Sequence, residues 1–591
     1  MTRVHLIFAV TLMTLMGSIV ALFSTIQQRD FMLRGYVDAT QNAELPFRLP
    51  LLGMNAELTQ YSPEELRRQF DLMQQAHVVW VRQFVRWDEI EPQQGQYDWE
   101  TWDTIVAALE EFPDLELVAV LMNSPAWTHP SQQDNNRTTP PDDPATFAAF
   151  ASAFASRYGE SIDYYQIWDE PNLTAAWGNL LPRPVVYVAM LQAAYTAIHA
   201  ADADATVIAG ALAPTTEQGP ENVSDILYLR DLYALGARDF MDAAAAKPYG
   251  FDISPLDRTV DNAALNFSRI IALREEMVRN GDGHKALWAS AWGWNSLPEG
   301  WTGAPSIWGN ISEDQRIQYA LSALDRAERE WTWLGGMILQ HWQPLAPVDD
   351  PLWGFAVIDQ QGNPTALWSA LAQRTIPNSA NDGLFPAANP YTRYSGVWTF
   401  SNLGADIGWI RPTDSQLEFT FTGTDVALLL RQDNYVAYLY PTIDGQPANA
   451  TAHDPDGTAY IVLTSNSLLP ETDLVAVARN LSNAQHTLRV IADRGEDRWA
   501  LAGYGVSSGD LAAPYNSQIS IALLTMIIAS ISVIVTGWQI NWRAVFKPLD
   551  GWWQRLSEAA QILISVATSI ALLIGMLLTW GDAVPALFRR D

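Results

Sequence analysis

The sequence predicts an α/β fold: a closed (β/α)8 barrel followed by a β-sandwich, with transmembrane helices at both ends of the chain. Three observations support this prediction. Apolar, strand-like runs alternate with amphipathic helical patterns between about residues 49 and 376, as in a parallel sheet closed into a barrel. Short alternating strands separated by turn residues follow from about residue 391, as in a sandwich. Long apolar segments lie near both termini.

Apolar runs give the strands of the predicted barrel, which occupies residues 49–376. The runs are 51–55, 78–84, 115–122, 163–168, 206–211, 240–246, 286–289 and 335–339. Amphipathic helical patterns lie between them, for example at 63–76, 143–158 and 313–330. The first of these helices has a clear start signal, because Ser62 can cap it, Pro63 suits its first position and Glu65 its third.

A change of composition marks the end of the barrel. Residues 377–390 are rich in Asn, Ala, Gly and Pro, which favours a linker. We expect a jelly-roll-like β-sandwich at residues 391–510, with a hairpin turn at Asp444-Gly445. Its predicted strands are 417–422, 426–431, 436–443, 460–464, 487–492 and 500–506.

Apolar segments near the termini are long enough to cross a membrane. Residues 1–29 are interpreted as an uncleaved anchor, with a signal peptide as the alternative, and residues 30–48 as a linker. Two further spans are expected at 516–540 and 557–580, and a tail at 581–591. The loop 541–556 is basic and should be cytoplasmic, which places the large acidic domains on the extracytoplasmic side of the cell membrane. A lipid bilayer is therefore an expected partner. Three spans exceed what a tether requires, so we also expect a membrane-protein partner.

The composition excludes several other classes of partner and cofactor. Acidic residues number 66 against 35 basic ones, and this net charge of −31 argues against nucleic acid. The chain has no cysteine, and its 8 histidines form no HExxH pair, so we expect no metal site and no cofactor. The 25 tryptophans suit core packing and also a cleft in which sugar rings stack on aromatic faces.

The segment 164–172, with the sequence YYQIWDEPN, is the main candidate for chemistry. Its aromatic and apolar start fits a buried strand. Asp169 and Glu170 then fall at the carboxyl end of that strand, where barrel enzymes place their catalytic groups. A glutamate in a desolvated, aromatic setting can act as a general acid, because burial disfavours its charged form. In the structural alternative, the two acids cap a helix that begins at Pro171.

Five motifs in order resemble those of the clan A glycoside hydrolases, particularly the β-xylosidase and cellulase-like TIM barrels. They are VRQFVRWDEIEPQQGQYDW at 81–99, IWDEPN at 167–172, KPYGF at 247–251, LWASAWGW at 287–294 and QHW at 340–342. The resemblance implies a carbohydrate ligand and Glu170 as the catalytic acid/base. The residues that it assigns to sugar binding are Arg82, Asp169, Lys247, Tyr249, Trp292 and Trp342.

Three positions depart from the pattern of that family. Ala291 stands at the position of the nucleophilic Glu, Asp169 at that of an Asn, and Lys247 at that of a His. Retaining hydrolysis needs two carboxylates about 5–5.5 Å apart, and alanine cannot attack an anomeric carbon. The charge changes at Lys247 and Asp169 suggest an ion pair. Inverting hydrolysis, at about 6.5–9.5 Å, would need a carboxylate from a loop. The candidates for that carboxylate are Asp252, Glu299, Asp349 and Asp350.

Two functions therefore remain open from the sequence. The first is a membrane-anchored glycoside hydrolase that acts on O-glycosidic bonds outside the cytoplasm. The second is a catalytically silent pseudo-glycosidase that serves as a glycan-binding or structural subunit of a membrane assembly. The sandwich resembles carbohydrate-binding modules at 443–445 and 486–490, with a plain spacer between barrel and membrane as the alternative.

Overall fold

The computed structural model describes residues 3–132, 136–407, 415–492, 498–545, 547, 554–558 and 560–561. The chain divides into two compact units. One unit comprises residues 31–511 and contains the barrel and the sandwich, and the other comprises the two terminal segments.

The larger unit begins with a closed barrel of eight parallel strands, which confirms the predicted barrel. The strands are β1 (Leu52–Ala56), β2 (Trp80–Arg86), β3 (Glu116–Met122), β4 (Tyr164–Asp169), β5 (Thr206–Ala211), β6 (Ala243–Ala246), β7 (Ala286–Trp292) and β8 (Leu334–Leu339). Each strand overlaps one predicted run, and β8 pairs with β1 to close the barrel. The carboxyl ends of all eight strands therefore meet at one end.

The helices follow the predicted pattern. In chain order they are α1 (Arg3–Met32), α2 (Pro63–Gln75), α3 (Trp87–Ile90), α4 (Glu100–Leu109), α5 (Pro144–Tyr158), α6 (Pro184–Ala201), α7 (Asp225–Ala234), α8 (Ile270–Arg279), α9 (Glu313–Glu330), α10 (Ala366–Ala372) and α11 (Ala513–Gln539). The start signal of α2 is confirmed, because the hydroxyl of Ser62 accepts a hydrogen bond from the backbone N–H of Glu65 at 3.3 Å.

The interior of the barrel has an apolar layer below a polar one. Trp80 and Trp288 pack edge to face with ring centroids 4.9 Å apart, and Tyr164 packs against both. Arg82 and Gln166, two residues further along β2 and β4, lie in the next layer toward the carboxyl ends. Side chains alternate between the two faces of a strand, so residues two apart point into the same interior.

The sandwich consists of two antiparallel sheets that share one apolar core. Its strands are β9 (Gly383–Pro386), β10 (Thr392–Ser395), β11 (Trp398–Ser401), β12 (Gly404–Ile407), β13 (Gln416–Gly423), β14 (Asp425–Gln432), β15 (Tyr438–Ile443), β16 (Gln446–Pro447), β17 (Ala452–His453), β18 (Ala459–Val462), β19 (Glu471–Ala478), β20 (Ala484–Ala492) and β21 (Leu501–Ser507). One sheet has the order β10-β13-β20-β15-β18-β17 with β16 beside β15. The other has the order β11-β12-β21-β14-β19 with β9 beside β21.

Two segments interpreted as linkers take part in the fold. Residues 377–390 contain β9, whose apolar side chains Leu384 and Phe385 are buried where the strand pairs with β21. In residues 30–48, the carbonyls of Gly35 and Val37 accept hydrogen bonds from Trp333 Nε1 at 2.7 Å and from Thr332 Oγ1 at 2.9 Å. Their composition indicates flexibility, but tertiary hydrogen bonds and apolar burial fix both segments.

Three described helices are long and apolar enough to cross a membrane, namely α1, α6 and α11. Helix α6 belongs to the barrel and buries Tyr187 and Leu191 there. Helices α1 and α11 coincide with the first two predicted spans. The span predicted at 557–580 lies outside the described residues, apart from residues 557, 558, 560 and 561.

Candidate active site

Four charged side chains meet at the carboxyl end of the barrel. Arg82 comes from β2, Asp169 ends β4, Glu170 follows it, and Lys247 follows β6. Asp169 Oδ1 accepts a hydrogen bond from Arg82 Nη2 at 2.7 Å, and Oδ2 accepts one from Lys247 Nζ at 2.6 Å. Lys247 Nζ also donates to Glu170 Oε1 at 2.8 Å. The ion pair expected between Lys247 and Asp169 is present, and the same lysine also binds Glu170.

This arrangement keeps the buried members of the cluster charged. Burial would raise the pKa of Asp169, but the charges of Lys247 and Arg82 outweigh it and hold that pKa below its ordinary value. Burial would lower the pKa of Lys247, but the carboxylates of Asp169 and Glu170 outweigh it and raise that pKa. An ammonium held in this way has no lone pair, so Lys247 is not suited to act as an amine nucleophile or as a general base.

The backbone around Asp169 is strained. Trp168 and Glu170 have positive φ values of 68° and 51°, a region that bulky residues rarely adopt. The N–H of Glu170 donates to the carbonyl of Ala211 at 2.9 Å, which ties the segment to β5. Asn172, fully buried, donates to the carbonyl of Ala213 at 2.9 Å and fixes the segment beyond the strand. The side chain of Glu170 is 27% exposed and therefore reaches the mouth of the barrel.

The surroundings of Glu170 differ from both sequence expectations. Trp168 packs against Phe147 and Trp177, and Glu170 Oε1 forms an ion pair with Lys247, so the carboxylate has a cationic partner in the structure. The chain after Pro171 forms a turn and a short 3-10 helix at Thr174–Ala176, so the two acids do not cap an α-helix there.

Three polar residues below the charged cluster were not identified from the sequence. Gln166 Oε1 accepts hydrogen bonds from Arg82 Nε at 3.0 Å and from Ser290 Oγ at 3.3 Å. Asn55 Oδ1 accepts one from Arg82 Nη1 at 2.6 Å. They fix the guanidinium that binds Asp169. The available signal was a polar residue inside each of three largely apolar strands, since a buried polar group needs a partner.

Tyr249 lies beside the cluster on the turn that follows β6. Its hydroxyl donates to Gln340 Oε1 at 3.0 Å, and burial raises the pKa of this phenol. Gly250 is required at the next position, because an added Cβ would lie 1.8 Å from the ring of Trp294. Burial and the charge of Lys247 lower the pKa of His341, next to Gln340, to about 3, so that imidazole stays neutral.

Ala291 occupies the position that the resemblance assigns to the nucleophile. It lies near the carboxyl end of β7, is 1% exposed, and packs in an apolar cluster with Tyr249 and Phe355. The pairing of β7 with β8 is irregular between Ala289 and Trp292, as in a β-bulge. A methyl group therefore stands at this position, and it offers no oxygen to a sugar.

Trp292 and Trp342 do not line the site, contrary to the sequence expectation. Both are 0% exposed and belong to the core between the strands and the outer helices. Trp292 packs against Phe267, and Trp342 Nε1 donates to Gln69 Oε1 at 2.7 Å. The shift in β7 pairing directs the Trp292 ring outward, and neither ring offers a face to a sugar.

The loop carboxylates proposed for inverting chemistry come from the segment after β6 and from the loops after β7 and β8. Asp350 Oδ1 accepts a hydrogen bond from the N–H of Leu352 at 2.9 Å and so caps a short 3-10 helix at Pro351–Phe355. Within the described ranges, no hydrogen bond or ion pair joins Asp252, Glu299, Asp349 or Asp350 to the charged cluster. The same part of the chain contains no group of three or more side chains arranged to hold a metal ion.

Comparisons with known proteins agree with the motifs. The model of the Glyco_hydro_42 family, described as β-galactosidase, matches residues 57–140. No curated protein matches the chain.

Similar solved structures include a family 39 glycoside hydrolase from Bacteroides cellulosilyticus WH2, with 15% identity, 77% of this chain and 82% of that chain covered, and a TM-score of 0.44. A glucosidase from Croceicoccus marinus shares 12% identity over 77% of this chain and 98% of its own, with a TM-score of 0.39. A β-glucosidase from Thermotoga maritima in complex with deoxynojirimycin shares 11% identity over 55% and 98%, with a TM-score of 0.39. All three scores are below 0.5, so we base the function on the residues of the site. The chain resembles the clan A glycoside hydrolases in its eight-stranded barrel and in the family model that matches it.

Proposed function

We propose that the protein is a membrane-anchored, extracytoplasmic glycan-binding protein built on a glycoside-hydrolase-like barrel, and that it does not carry out retaining hydrolysis. One observation carries the proposal: Lys247 binds both Asp169 and Glu170, while Ala291 stands at the position of the nucleophile. Retaining hydrolysis needs one carboxylate to attack and a second group to protonate the leaving oxygen. Here one carboxylate is absent and the other is engaged by an ammonium.

The charges of the site favour a neutral sugar. Arg82 and Lys247 are balanced by Asp169 and Glu170, so the cluster offers no unpaired cation to a uronate or a sulfate. It does offer a partly exposed carboxylate, Glu170, that can accept hydrogen bonds from sugar hydroxyls. A neutral sugar therefore suits this site, because the site can bind it through hydrogen bonds without cleaving it.

The membrane anchor is supported by α1 and α11, which have the length and composition of membrane spans. The basic loop at 541–556 favours a cytoplasmic position for that loop and an outer position for the acidic unit 31–511. A glycan-binding protein anchored in this way could act alone or as a subunit of a membrane assembly.

Hydrolysis is a second candidate, favoured by the position of Glu170. Its side chain is 27% exposed at the barrel mouth, so it can reach a glycosidic oxygen. In this case Glu170 is the general acid, and a loop carboxylate activates water for inverting hydrolysis.

The test uses the full chain in detergent micelles, with cellohexaose, xylohexaose and mannohexaose as ligands. Calorimetry measures binding, and a reducing-end assay measures cleavage, for the wild type and for Glu170→Gln. Glu89→Gln is the matched control, because Glu89 is an exposed glutamate that also binds a single cation, Arg137. We expect the wild type to bind at least one hexasaccharide without cleaving it, and Glu170→Gln to bind more weakly. Cleavage that Glu170→Gln abolishes would establish the hydrolase instead, and an absence of binding would overturn the proposal.

A further inference from the structure

A groove lies at the carboxyl end of the barrel, and it is separate from the charged cluster around Lys247. The loop after β7, the start of α9 and the loop after β8 form it, and it has a volume of about 940 Å³. Trp301 and Trp353, one from each loop, line it together with Glu299, Glu313 and Gln361. The residues that line it include none of Arg82, Asp169, Glu170 and Lys247.

The tryptophan rings of this groove are held in place by their own loops. Trp301 Nε1 donates to the carbonyl of Ala304 at 2.8 Å, and Trp353 Nε1 donates to the carbonyl of Pro347 at 2.9 Å. The loops are joined by hydrogen bonds from the N–H of Ala304 to the carbonyl of Asp349 at 3.3 Å, and from that of Ser296 to Gly354 at 2.9 Å. Rings fixed before binding lose little conformational freedom when a ligand arrives.

The groove is acidic. Glu299, Glu313 and Asp359 line it, against one cation, Arg316, among the residues that form its walls. Arg316 is already committed, since Nη2 binds Glu313 Oε1 at 2.6 Å and Nη1 donates to the carbonyl of Ala356 at 3.0 Å. The groove therefore repels an acidic polymer and accepts a neutral one.

We infer that this groove binds a neutral oligosaccharide, whose rings stack on Trp301 and Trp353. Flat aromatic faces match the apolar faces of sugar rings, and carboxylates and amides at the rim accept and donate hydrogen bonds to hydroxyls. The side chains of Glu299 and Gln361 have no hydrogen-bond partner among the described residues and remain available for this role. The inference rests on the proposed function for its ligand class, a glycan, but it does not require the Glu170 site to be occupied.

The test measures binding of cellohexaose, xylohexaose and mannohexaose, and of hexagalacturonic acid as the acidic probe, to the full chain in micelles. The variants are Trp301→Ala, Trp353→Ala and Glu299→Lys. Trp398→Ala is the matched control, because Trp398 is a partly exposed sandwich residue whose Nε1 also donates to a nearby carbonyl, that of Ser395. Thermal unfolding checks that each variant is folded.

We expect each groove tryptophan variant to weaken binding of a neutral hexasaccharide by about tenfold or more, and Trp398→Ala to leave it unchanged. The wild type should not bind hexagalacturonic acid, and Glu299→Lys should gain such binding. Unchanged affinity in folded Trp301→Ala and Trp353→Ala, or no binding of any neutral hexasaccharide by the wild type, would overturn the inference. Unchanged affinity in Glu170→Gln, together with lost affinity in the tryptophan variants, would support sugar binding by the groove and contradict sugar binding at Glu170.

Discussion

The ammonium of Lys247 lies 2.6 Å from Asp169 Oδ2 and 2.8 Å from Glu170 Oε1, and it is buried almost completely. Two anions and two cations thus share a small volume at the barrel mouth. Such a cluster is stable only as a whole, because each charge has lost its hydration and depends on its partners. The charge of Lys247 and the charge of Asp169 therefore depend on each other.

Removing this cation should destabilise the barrel strongly. Lys247→Met leaves Asp169 buried with a single cationic partner, Arg82, so we expect the free energy of unfolding to fall by about 3 kcal/mol. Arg67→Met is the control, since Arg67 and Glu111 form an exposed ion pair whose loss should leave the free energy of unfolding almost unchanged. Urea denaturation followed by tryptophan fluorescence measures both. Equal losses in the two variants would contradict the structural role of Lys247.

The β15–β16 hairpin is an element in which local sequence and tertiary contact cooperate. Asp444 and Gly445 have φ values of 50° and 80°, as a type I′ turn requires, so the predicted turn is confirmed. Asp444 then reaches β20, where Oδ2 lies 2.7 Å from His486 Nδ1 and Oδ1 accepts the N–H of Thr487 at 2.9 Å. His486 Nε2 lies 2.8 Å from the carbonyl of Ser482.

This hairpin should make stability depend on pH. Burial would lower the pKa of His486, but its hydrogen bonds to Asp444 and Ser482 raise it above the ordinary 6.5. A raised pKa stabilises the fold fully below pH 6.5, and the contribution is lost as the pH rises through the folded-state value. We therefore expect the thermal midpoint of unit 31–511 to fall as the pH rises from 6.5 through the folded-state pKa of His486, and His486→Gln to reduce that fall.

The control for this measurement is His453→Gln, which changes an exposed histidine of the same sandwich. It should keep the pH dependence of the wild type. An identical pH profile in the wild type and His486→Gln would show that the Asp444–His486 contact does not contribute to stability.

At the scale of the whole molecule, residues 31–48 join the barrel to the sandwich. Gly35 and Val37 bind the residues that precede β8, and the N–H of Arg48 bonds to the carbonyl of Leu384 in β9. The hydroxyl of Tyr36 donates to the carbonyl of Gly509 at 3.1 Å, so both ends of the unit 31–511 lie close together. This segment is therefore structural and not a spacer.

Deleting this segment should weaken the unit. We expect the fragment 31–511 to fold without detergent, since it is one compact unit with its own cores. The fragment 49–511 should unfold several degrees lower, because Trp333 and Thr332 lose their acceptors and the buried Leu45 is removed. Differential scanning calorimetry of the two fragments measures this. Equal thermal midpoints of the two fragments would show that residues 31–48 act only as a linker.

The sequence by itself determined the eight barrel strands, the start of α2, the turn at Asp444-Gly445 and the two apolar helices that are described. Each of these follows from local patterns, such as alternation, capping residues and apolar length, that the chain carries within a few residues. The strand end placed Asp169 and Glu170 at the mouth of the barrel, and the resemblance of the motifs to those of the clan A glycoside hydrolases indicated that Arg82 and Lys247 belong to the same site.

Only the tertiary structure decided where individual side chains point and what they contact. An irregular pairing of β7 with β8 directs Trp292 into the core, and Trp342 bonds to Gln69 on α2. The double ion pair of Lys247, the pairing of β9 with β21 and the groove between Trp301 and Trp353 join residues distant in the sequence. Such contacts depend on register and on the packing of separate elements, and a local pattern carries no information about them.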